Sequence, residues 1–441
     1  MIKPVYDGKN IRSEFRLEPN TAYLSNMRLM DVGVTIAGGA GNQGNYNALC
    51  GAYGVIKSIH LYDNNTLLDQ QLQSNLWSAW KQVNKTNQDN LNNNFVTCAN
   101  DAGSVYIGND DFQTGIGSNI SRGGKFSLPT NAVETNTARG WLNLKEVFPL
   151  LTALQYLDTE VFQRIRIVVH YHNAGVEFMN SRQSVAGKLT TEPLLIVDEI
   201  VGDGKAKVMG KFNGVNYTTI EHDRVRLNAV VPTATDPNRV QAQTFKIAGF
   251  NNKNVGRMLI VKSPIAEAFY VDPATDNGSN IAKAGKLQSV AGFKEIVQMR
   301  KNGNALLTGR GLESSAQRLA MVNDIWGQSS IPLFSNGVAY ETNIADDTKL
   351  RSQLLQSSNR DIGTLDYIAF DLRGERVLDL QFDYQRSGVY VFNTAPKDIT
   401  GTDDAITLTS KYNQALDLHF FAEVDKSIVL QGGGKYQVVY S

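Results

Sequence analysis

An all-β protein with more than one β-sandwich is the fold class this sequence predicts, and three observations carry the prediction. First, residues 161–170 alternate. Val161, Gln163, Ile165, Ile167 and Val169 fall on one side, and Phe162, Arg164, Arg166, Val168 and His170 on the other. This is the period of a strand with two unlike faces. Second, short β-like runs alternate along the chain with loops rich in Asn, Asp and Gly, at 84–94 (NKTNQDNLNNN), 115–124, 272–279 (DPATDNGS) and 394–404. Many short strands with elaborate loops belong to sandwiches or barrels, not to βαβ units. Third, 441 residues exceed one ordinary core, and two domains of about 200 residues follow.

Taken in order, residues 1–22 set Lys3, Lys9, Arg12 and Arg16 against Asp7, Glu14 and Glu18 with no periodicity. They read as a mixed-charge arm that orders only against a neighbour or an internal component. A first domain over 23–203 has predicted strands at 23–36, 54–61, 94–98, 161–172 and 194–201. Ahead of the fourth strand, residues 147–157 form an uncharged, mostly apolar run containing Pro149, then a charged bend at 157–160. An apolar corner feeding a β-branched strand suits the edge of a sandwich, where the chain crosses between sheets.

Residues 204–216 lie in a stretch rich in glycine and lysine (GDGKAKVMGKFNG, 202–214) and read as a linker. A second domain over 217–441 restarts the pattern at 218–231, 244–248, 257–262, 294–300, 365–372, 377–384, 415–424, 427–430 and 436–440. Helices are predicted at 72–83, 315–326 and 348–355. In the first, Leu72, Leu76, Trp80 and Val83 share a stripe with Trp77 beside it; in the second, Leu319, Val322 and Trp326 do. Such stripes are the faces of helices packed on a sheet. A faint internal repeat pairs 54–61 with 256–262, and VFQRIRIVVHYH with VLDLQFDYQR.

Composition excludes several functions. Lys plus Arg and Asp plus Glu both number 43, so no basic excess exists with which to coat nucleic acid. Two cysteines, Cys50 and Cys98, fall short of a disulfide framework and favour a reducing compartment. No charged n-region and apolar h-region open the chain, and no run of about 20 apolar residues occurs. Synthesis in the cytoplasm is the expectation. The sequons at Asn64, Asn84, Asn119, Asn216 and Asn277 then read as turn chemistry.

Motifs for catalysis are weak. Gly39-Ala40-Gly41-Asn42-Gln43-Gly44 is a literal G-x-G-x-x-G after a predicted strand, with Asp63 beyond it. A dinucleotide site needs a crossover of at least about 10–12 residues with good helix formers. Residues 45–53 supply nine, including Asn45, Asn47 and Gly51, so an inter-strand loop is the better reading. His170 and His172 share one strand face, but a metal site needs further ligands. His60 reads as a half-buried strand residue, and His222 and His419 as isolated. The pairs Asp110-Asp111, Asp346-Asp347 and Asp403-Asp404 place adjacent carboxyls on opposite sides, unlike the facing pair of a glycosidase. Arg164 and Arg166 lack the interleaved aromatics of a single-strand binder. No catalytic, cofactor-binding or metal-binding residue is assigned, and no enzyme activity is expected.

Two segments carry a family resemblance. LLTALQYLDTEVFQRIRIVVHY resembles the apolar corner and alternating strand of the double jelly-roll major capsid proteins of virophages, polinton-like viruses and nucleocytoplasmic large DNA viruses. LDLHFFAEVDKSIVLQGGGKYQVVYS resembles their carboxy-terminal pattern of strand, polar turn, apolar triplet, glycine-rich kink and short final strand, and the closing strand of this chain is expected to be buried. The segments cover about an eighth of the chain. The corner departs from larger relatives in Lys145-Glu146-Val147-Phe148, where theirs is more aromatic.

The resemblance implies two consecutive eight-stranded antiparallel jelly-roll sandwiches with a few inserted short helices. It further implies a homotrimeric, pseudo-hexameric capsomer that tiles an icosahedral virion and meets minor capsid, penton and cement proteins, without sequence-specific nucleic-acid contact. The alternative from another class is a β-sandwich carbohydrate- or receptor-binding protein. That would want tryptophans clustered in loops, whereas Trp77, Trp80, Trp141 and Trp326 all fall in or beside predicted helices and strands.

Overall fold

The computed structural model describes residues 1–7, 11–36, 44–46, 51–85, 137–172, 179–181, 187–189, 193–228, 240–264, 295–313, 315–327, 367–387, 415–431 and 435–440. Chain contacts divide the molecule into two compact units, one from Met1–Glu221 with Glu423–Ser441 and the other from His222–Thr275 with Lys286–Ala422. The predicted strand at 94–98, the helix at 348–355, both cysteines and the three aspartate pairs lie outside the described residues.

The first unit begins with β1 (Val5–Asp7), β2 (Arg12–Arg16), β3 (Ala22–Leu24), β4 (Arg28–Ile36), β5 (Gly44–Tyr46), β6 (Ile56–Asp63) and β7 (Thr66–Leu72), then helix α1 (Ser74–Lys85). Next come β8 (Thr137–Asn143), a 3-10 turn, the short helix α2 (Pro149–Ala153), β9 (Tyr156–Asp158), β10 (Ile165–Tyr171), β11 (Met179–Ser181), β12 (Gly187–Leu189), β13 (Leu194–Ile196) and β14 (Glu199–Ile200). One sheet runs β1-β2-β10-β6-β7; β4 is flanked by β8, β12 and β13; β3 lies between β14 and β9; and β5 pairs with β11. Each of these pairings is antiparallel. For β4, which precedes the glycine motif, this removes the parallel βαβ setting that a dinucleotide site requires.

The alternation that predicted β10 sets its register. Ile165, Ile167, Val169 and Tyr171 are buried, and Ile167 sits opposite Phe15 on one side and Leu61 on the other. Slipping by one residue would turn Arg166 and His170 into the core. The strand starts at Ile165, not at Val161 as expected, because the preceding residues form a tied turn. Glu160 N donates to Asp158 Oδ1 (2.9 Å), Phe162 N to Asp158 O (3.0 Å) and Arg164 N to Asp63 Oδ1 (2.7 Å).

The expectation of a free amino-terminal arm is corrected: β2 lies between β1 and β10, with Phe15 and Ser13 fully buried. Its charges are mutually satisfied. Glu14 takes the guanidinium of Arg12 and that of Arg16 (2.8 Å), with Arg166 at 3.9 Å. Burial pushes the Glu14 carboxyl up, but the three arginines together hold it below its ordinary range.

After α3 (Asp203–Val208), which falls inside the glycine- and lysine-rich stretch, the chain forms β15 (Val215–Leu227), β16 (Val240–Lys246), β17 (Val255–Pro264), β18 (Glu295–Lys301) and β19 (Asn304–Ala305). Then follow helix α4 (Ser315–Trp326), β20 (Ile368–Asp371), β21 (Leu380–Ser387), β22 (Leu416–Gln431) and β23 (Lys435–Tyr440). The unit boundary falls inside β15, between Glu221 and His222, and inside β22, between Ala422 and Glu423. In the second unit, sheet β15-β22-β17-β20 faces sheet β16-β21-β18-β19, an eight-strand sandwich among the described residues. Its core is aromatic: Phe382 on β21 meets Phe370 on β20 (6.4 Å between ring centres) and Phe420 on β22 (5.4 Å), both edge-on. Asn302 (φ 53°) and Gly303 (φ 84°) close the β18–β19 hairpin, where both residues take the left-handed backbone that a two-residue turn needs.

Two further expectations change. Segments 415–424 and 427–430 are one continuous strand, because Asp425 and Lys426 alternate out and in and do not break it. The proposed repeat fails for this pair of segments. β6 and β10 are neighbours in one sheet, whereas β17 and β21 lie in opposite sheets of their sandwich.

Candidate functional site

In the first unit, the closing segments 215–221 and 423–440 are anchored by a buried polar cluster. Asp69 on β7 is fully buried. It accepts from Leu150 N (2.9 Å), Gln70 N (2.9 Å) and the Thr219 hydroxyl (2.5 Å). Burial raises its pKa to about 6, the donors and Lys426 opposing. Beside it Lys426 pairs with Glu221 (2.9 Å), both buried, and the Tyr217 hydroxyl donates to Leu68 O. Tyr436 on β23 donates to Asp63 Oδ2 (2.6 Å) and packs edge-on against Phe162 (5.0 Å). This lattice joins residues more than 140 positions apart, and it positions strands without offering a reacting group to solvent.

The raised Asp69 value has a signed consequence. The folded state binds the proton more tightly than the unfolded chain, so this group favours folding most below pH 3.8 and loses that contribution as pH rises through about 6. Two units correspond to about 3 kcal/mol. Asp69→Asn removes this titration. The unfolding free energy of the variant relative to the parent should therefore improve by about 2 kcal/mol between pH 4 and pH 6.5. Urea unfolding at the two pH values checks this, and a constant difference rejects it.

The second unit holds its own buried charges. Glu295 on β18 contacts Lys262 on β17, lies 3.8 Å from Arg318 on α4 and accepts from the Tyr384 hydroxyl on β21. All four side chains are buried. Arg386 sits opposite Glu295 in the strand register and donates to Asn228 O.

The histidines pair differently from expectation. His222 on β15 and His419 on β22 are not isolated: His222 Nε2 lies 2.9 Å from His419 Nδ1 and the rings stack at 5.2 Å. Burial depresses the His222 pKa to about 4, with Asp223 opposing and Arg224 assisting. His60 and His170 meet edge-on at 5.7 Å. Burial and then His170 lower the His60 pKa to about 4, while burial, Arg12 and Lys57 lower that of His170. A bulge at His170/Tyr171 ends β10 and separates His172, which is buried, from half-exposed His170. Among the described residues no group of three or more His, Cys, Asp or Glu side chains could hold a metal ion.

Arg164 takes part through its backbone, and Arg166 reaches Asn64 O (2.6 Å) and the Tyr62 ring (5.4 Å), so neither forms a nucleic-acid stripe. Asn64 has φ 53° at the β6–β7 turn, in keeping with its reading as turn chemistry. Trp77, Trp80 and Trp326 are buried, which leaves them unsuited to be a sugar platform. No helix among the described residues is long and apolar enough to cross a membrane.

What the surface offers is edges. Exposed large apolar side chains include Val5 on β1, Val240 on β16, and Val429, Leu430, Val439 and Tyr440 on the β22–β23 hairpin. Among the described residues β1 pairs only with β2, and β23 only with β22. Open strand margins carrying apolar groups are the means by which β-proteins associate with further chains.

No family model and no curated protein matches the chain. Solved structures do. The mavirus major capsid protein aligns over 100% of this chain and 89% of its own, with TM-score 0.54 and 12% identity. A quasi-atomic model of the PBCV-1 virus capsid aligns over 100% and 95%, with TM-score 0.56 and 10% identity. The 3.5 Å cryo-EM structure of the Sputnik virophage aligns over 100% and 87%, with TM-score 0.56 and 11% identity. At such identities the likeness is one of fold, and it extends from end to end: the chain has the double jelly-roll fold.

Proposed function

We propose that this chain is the major structural subunit of an icosahedral virus shell. Three copies associate into a pseudo-hexagonal capsomer, and capsomers tile the virion with minor capsid, penton and cement proteins between them. The first jelly roll is built from the chain up to about residue 203, its amino-terminal strands included, and is closed by 215–221 and 423–440; the second is built from 222–422. The observation that carries this reading is the end-to-end match to viral capsid proteins, which leaves little of either chain unaccounted for. The chemistry agrees: buried charges are consumed in holding strands rigid, and exposed apolar groups stand on β1, β16 and the β22–β23 hairpin. Equal numbers of acidic and basic residues remove net long-range repulsion between tightly packed copies. The chain is made in the host cytoplasm and ends in the virion.

Light scattering on the purified protein, followed by negative-stain imaging, tests the proposal. The expected result is the mass of three chains and a trefoil or hexagonal outline. A stable monomer without such an outline at high concentration overturns it.

A further inference from the structure

We propose that helix α3 is a site of proteolytic modification, open to a lysine-specific endoprotease, and that the two pieces stay together as one folded protein after the cut. α3 (Asp203–Val208) buries none of its side chains. Ala206 and Lys207 are exposed and Lys205 is half-exposed. Six residues are too few for a helix to hold itself together in water. Glycines with left-handed backbone bracket it, Gly202 (φ 61°) and Gly210 (φ 65°). An exposed segment with so little packing opens locally and can enter a protease cleft in extended form. Water then adds to the carbonyl carbon of Lys205 or Lys207, and the C–N bond to Ala206 or Val208 breaks. The lysine ends as a carboxylate, and the released nitrogen takes up the proton.

Such a cut falls inside the first unit. That unit takes in Met1–Glu221 and, much later in the chain, Glu423–Ser441, so each piece carries part of its core. The amino-terminal piece supplies Asp69, which accepts from the Thr219 hydroxyl (2.5 Å), and Leu68 O, which accepts from the Tyr217 hydroxyl. It also supplies Asp63, which accepts from the Tyr436 hydroxyl (2.6 Å), and Asp158, whose Oδ2 accepts from Gly210 N (2.6 Å). Phe162, fully buried, packs against both Phe212 (5.1 Å) and Tyr436 (5.0 Å). Withdrawing the carboxy-terminal piece would break all four hydrogen bonds and uncover Phe162, and both costs oppose separation. Cys50 and Cys98 both lie in the amino-terminal piece, so no disulfide can tie one piece to the other. Retention rests on the closing strands.

The test uses the full chain with four aspartates inserted between Gly204 and Lys205, which creates the recognition sequence of enteropeptidase, an enzyme that cuts after that lysine. Cleavage should go to completion under native conditions. Both pieces should then elute at the parent's volume in gel filtration and separate in denaturant. In the cut protein, Thr219→Val combined with Tyr436→Phe should raise at least tenfold the protein concentration below which the pieces separate, read at one fixed low concentration of urea. Pieces that part under native conditions overturn the proposal, as does a folded chain that the enzyme cannot cut, or retention indifferent to the two substitutions. Should the inserted chain fail to fold, brief trypsin treatment of the parent decides. Mass spectrometry of the material eluting at the parent's volume should find the 205–206 or 207–208 bond broken. Both bonds intact in material already cut at other lysines overturns the proposal.

Discussion

Deletion of residues 435–441 is expected to give insoluble protein. β23 pairs with β22 from Lys426↔Tyr440 to Gln431↔Lys435, and its loss leaves the carboxy-terminal half of β22 without that partner. The stretch so uncovered holds Ile428, Val429 and Leu430, an apolar triplet on a flat edge, the arrangement that recruits other chains. β23 itself is not the buried strand that the sequence suggested: Lys435, Gln437, Val439 and Tyr440 are exposed. Its importance lies in what it ties down. The Tyr436 hydroxyl reaches Asp63, its ring packs on Phe162, and Tyr440 lies 4.9 Å from the Lys426 ammonium. Removing these contacts leaves Asp63 and Lys426, both buried, short of a partner in a unit that also loses a strand. Soluble yield and thermal melting measure the effect. Full solubility with parental melting would reject the assignment of β23 as the protecting strand.

How much of this was legible beforehand depends on the range over which each signal acts. Alternation in 165–171 acts between adjacent residues, so β10 was readable, and α4 has the bounds expected from its stripe. Helix α1 starts at Ser74 and not at Leu72, since Gln73 takes φ 48° and Leu72 still belongs to β7. β7 went unseen because its sequence, TLLDQQL, carries Asp69 and Gln71 inward. The burial of Asp69 is made possible by Leu150 and Thr219, which are 81 and 150 positions away. The supposed arm misled for the same reason. Arg12, Glu14 and Arg16 look solvated in sequence, whereas Arg166, which completes their network, comes from the far side of the unit's chain. The His222–His419 contact spans 197 positions. Nothing within a local window distinguishes it from two unrelated histidines.

Glu295→Gln should destabilise the second unit by about 3–5 kcal/mol, the usual cost of removing one partner from a buried ion pair. The carboxylate contacts Lys262, lies 3.8 Å from Arg318 and sits opposite Arg386 in the strand register, all three buried. Glutamine preserves the volume and can still accept from the Tyr384 hydroxyl, so the change isolates charge from packing. What remains is a set of cations in a poorly hydrated interior that has lost an opposite charge a few ångströms away. Coulomb attraction at such separations far exceeds that of a surface pair, which typically contributes about 0.2–1 kcal/mol. Arg300→Gln, which breaks the exposed pair with Asp383 (2.6 Å), therefore supplies the contrast within the same sheet. Guanidinium unfolding followed by the fluorescence of Trp326, in single-tryptophan proteins, reads both variants. The midpoint should fall sharply for Glu295→Gln and hardly at all for Arg300→Gln. A loss below about 1 kcal/mol at Glu295 would mean that water reaches the cluster. Mutating Lys262 to Met in the Glu295→Gln background should restore part of the stability, because an apolar side chain in that position carries no uncompensated charge.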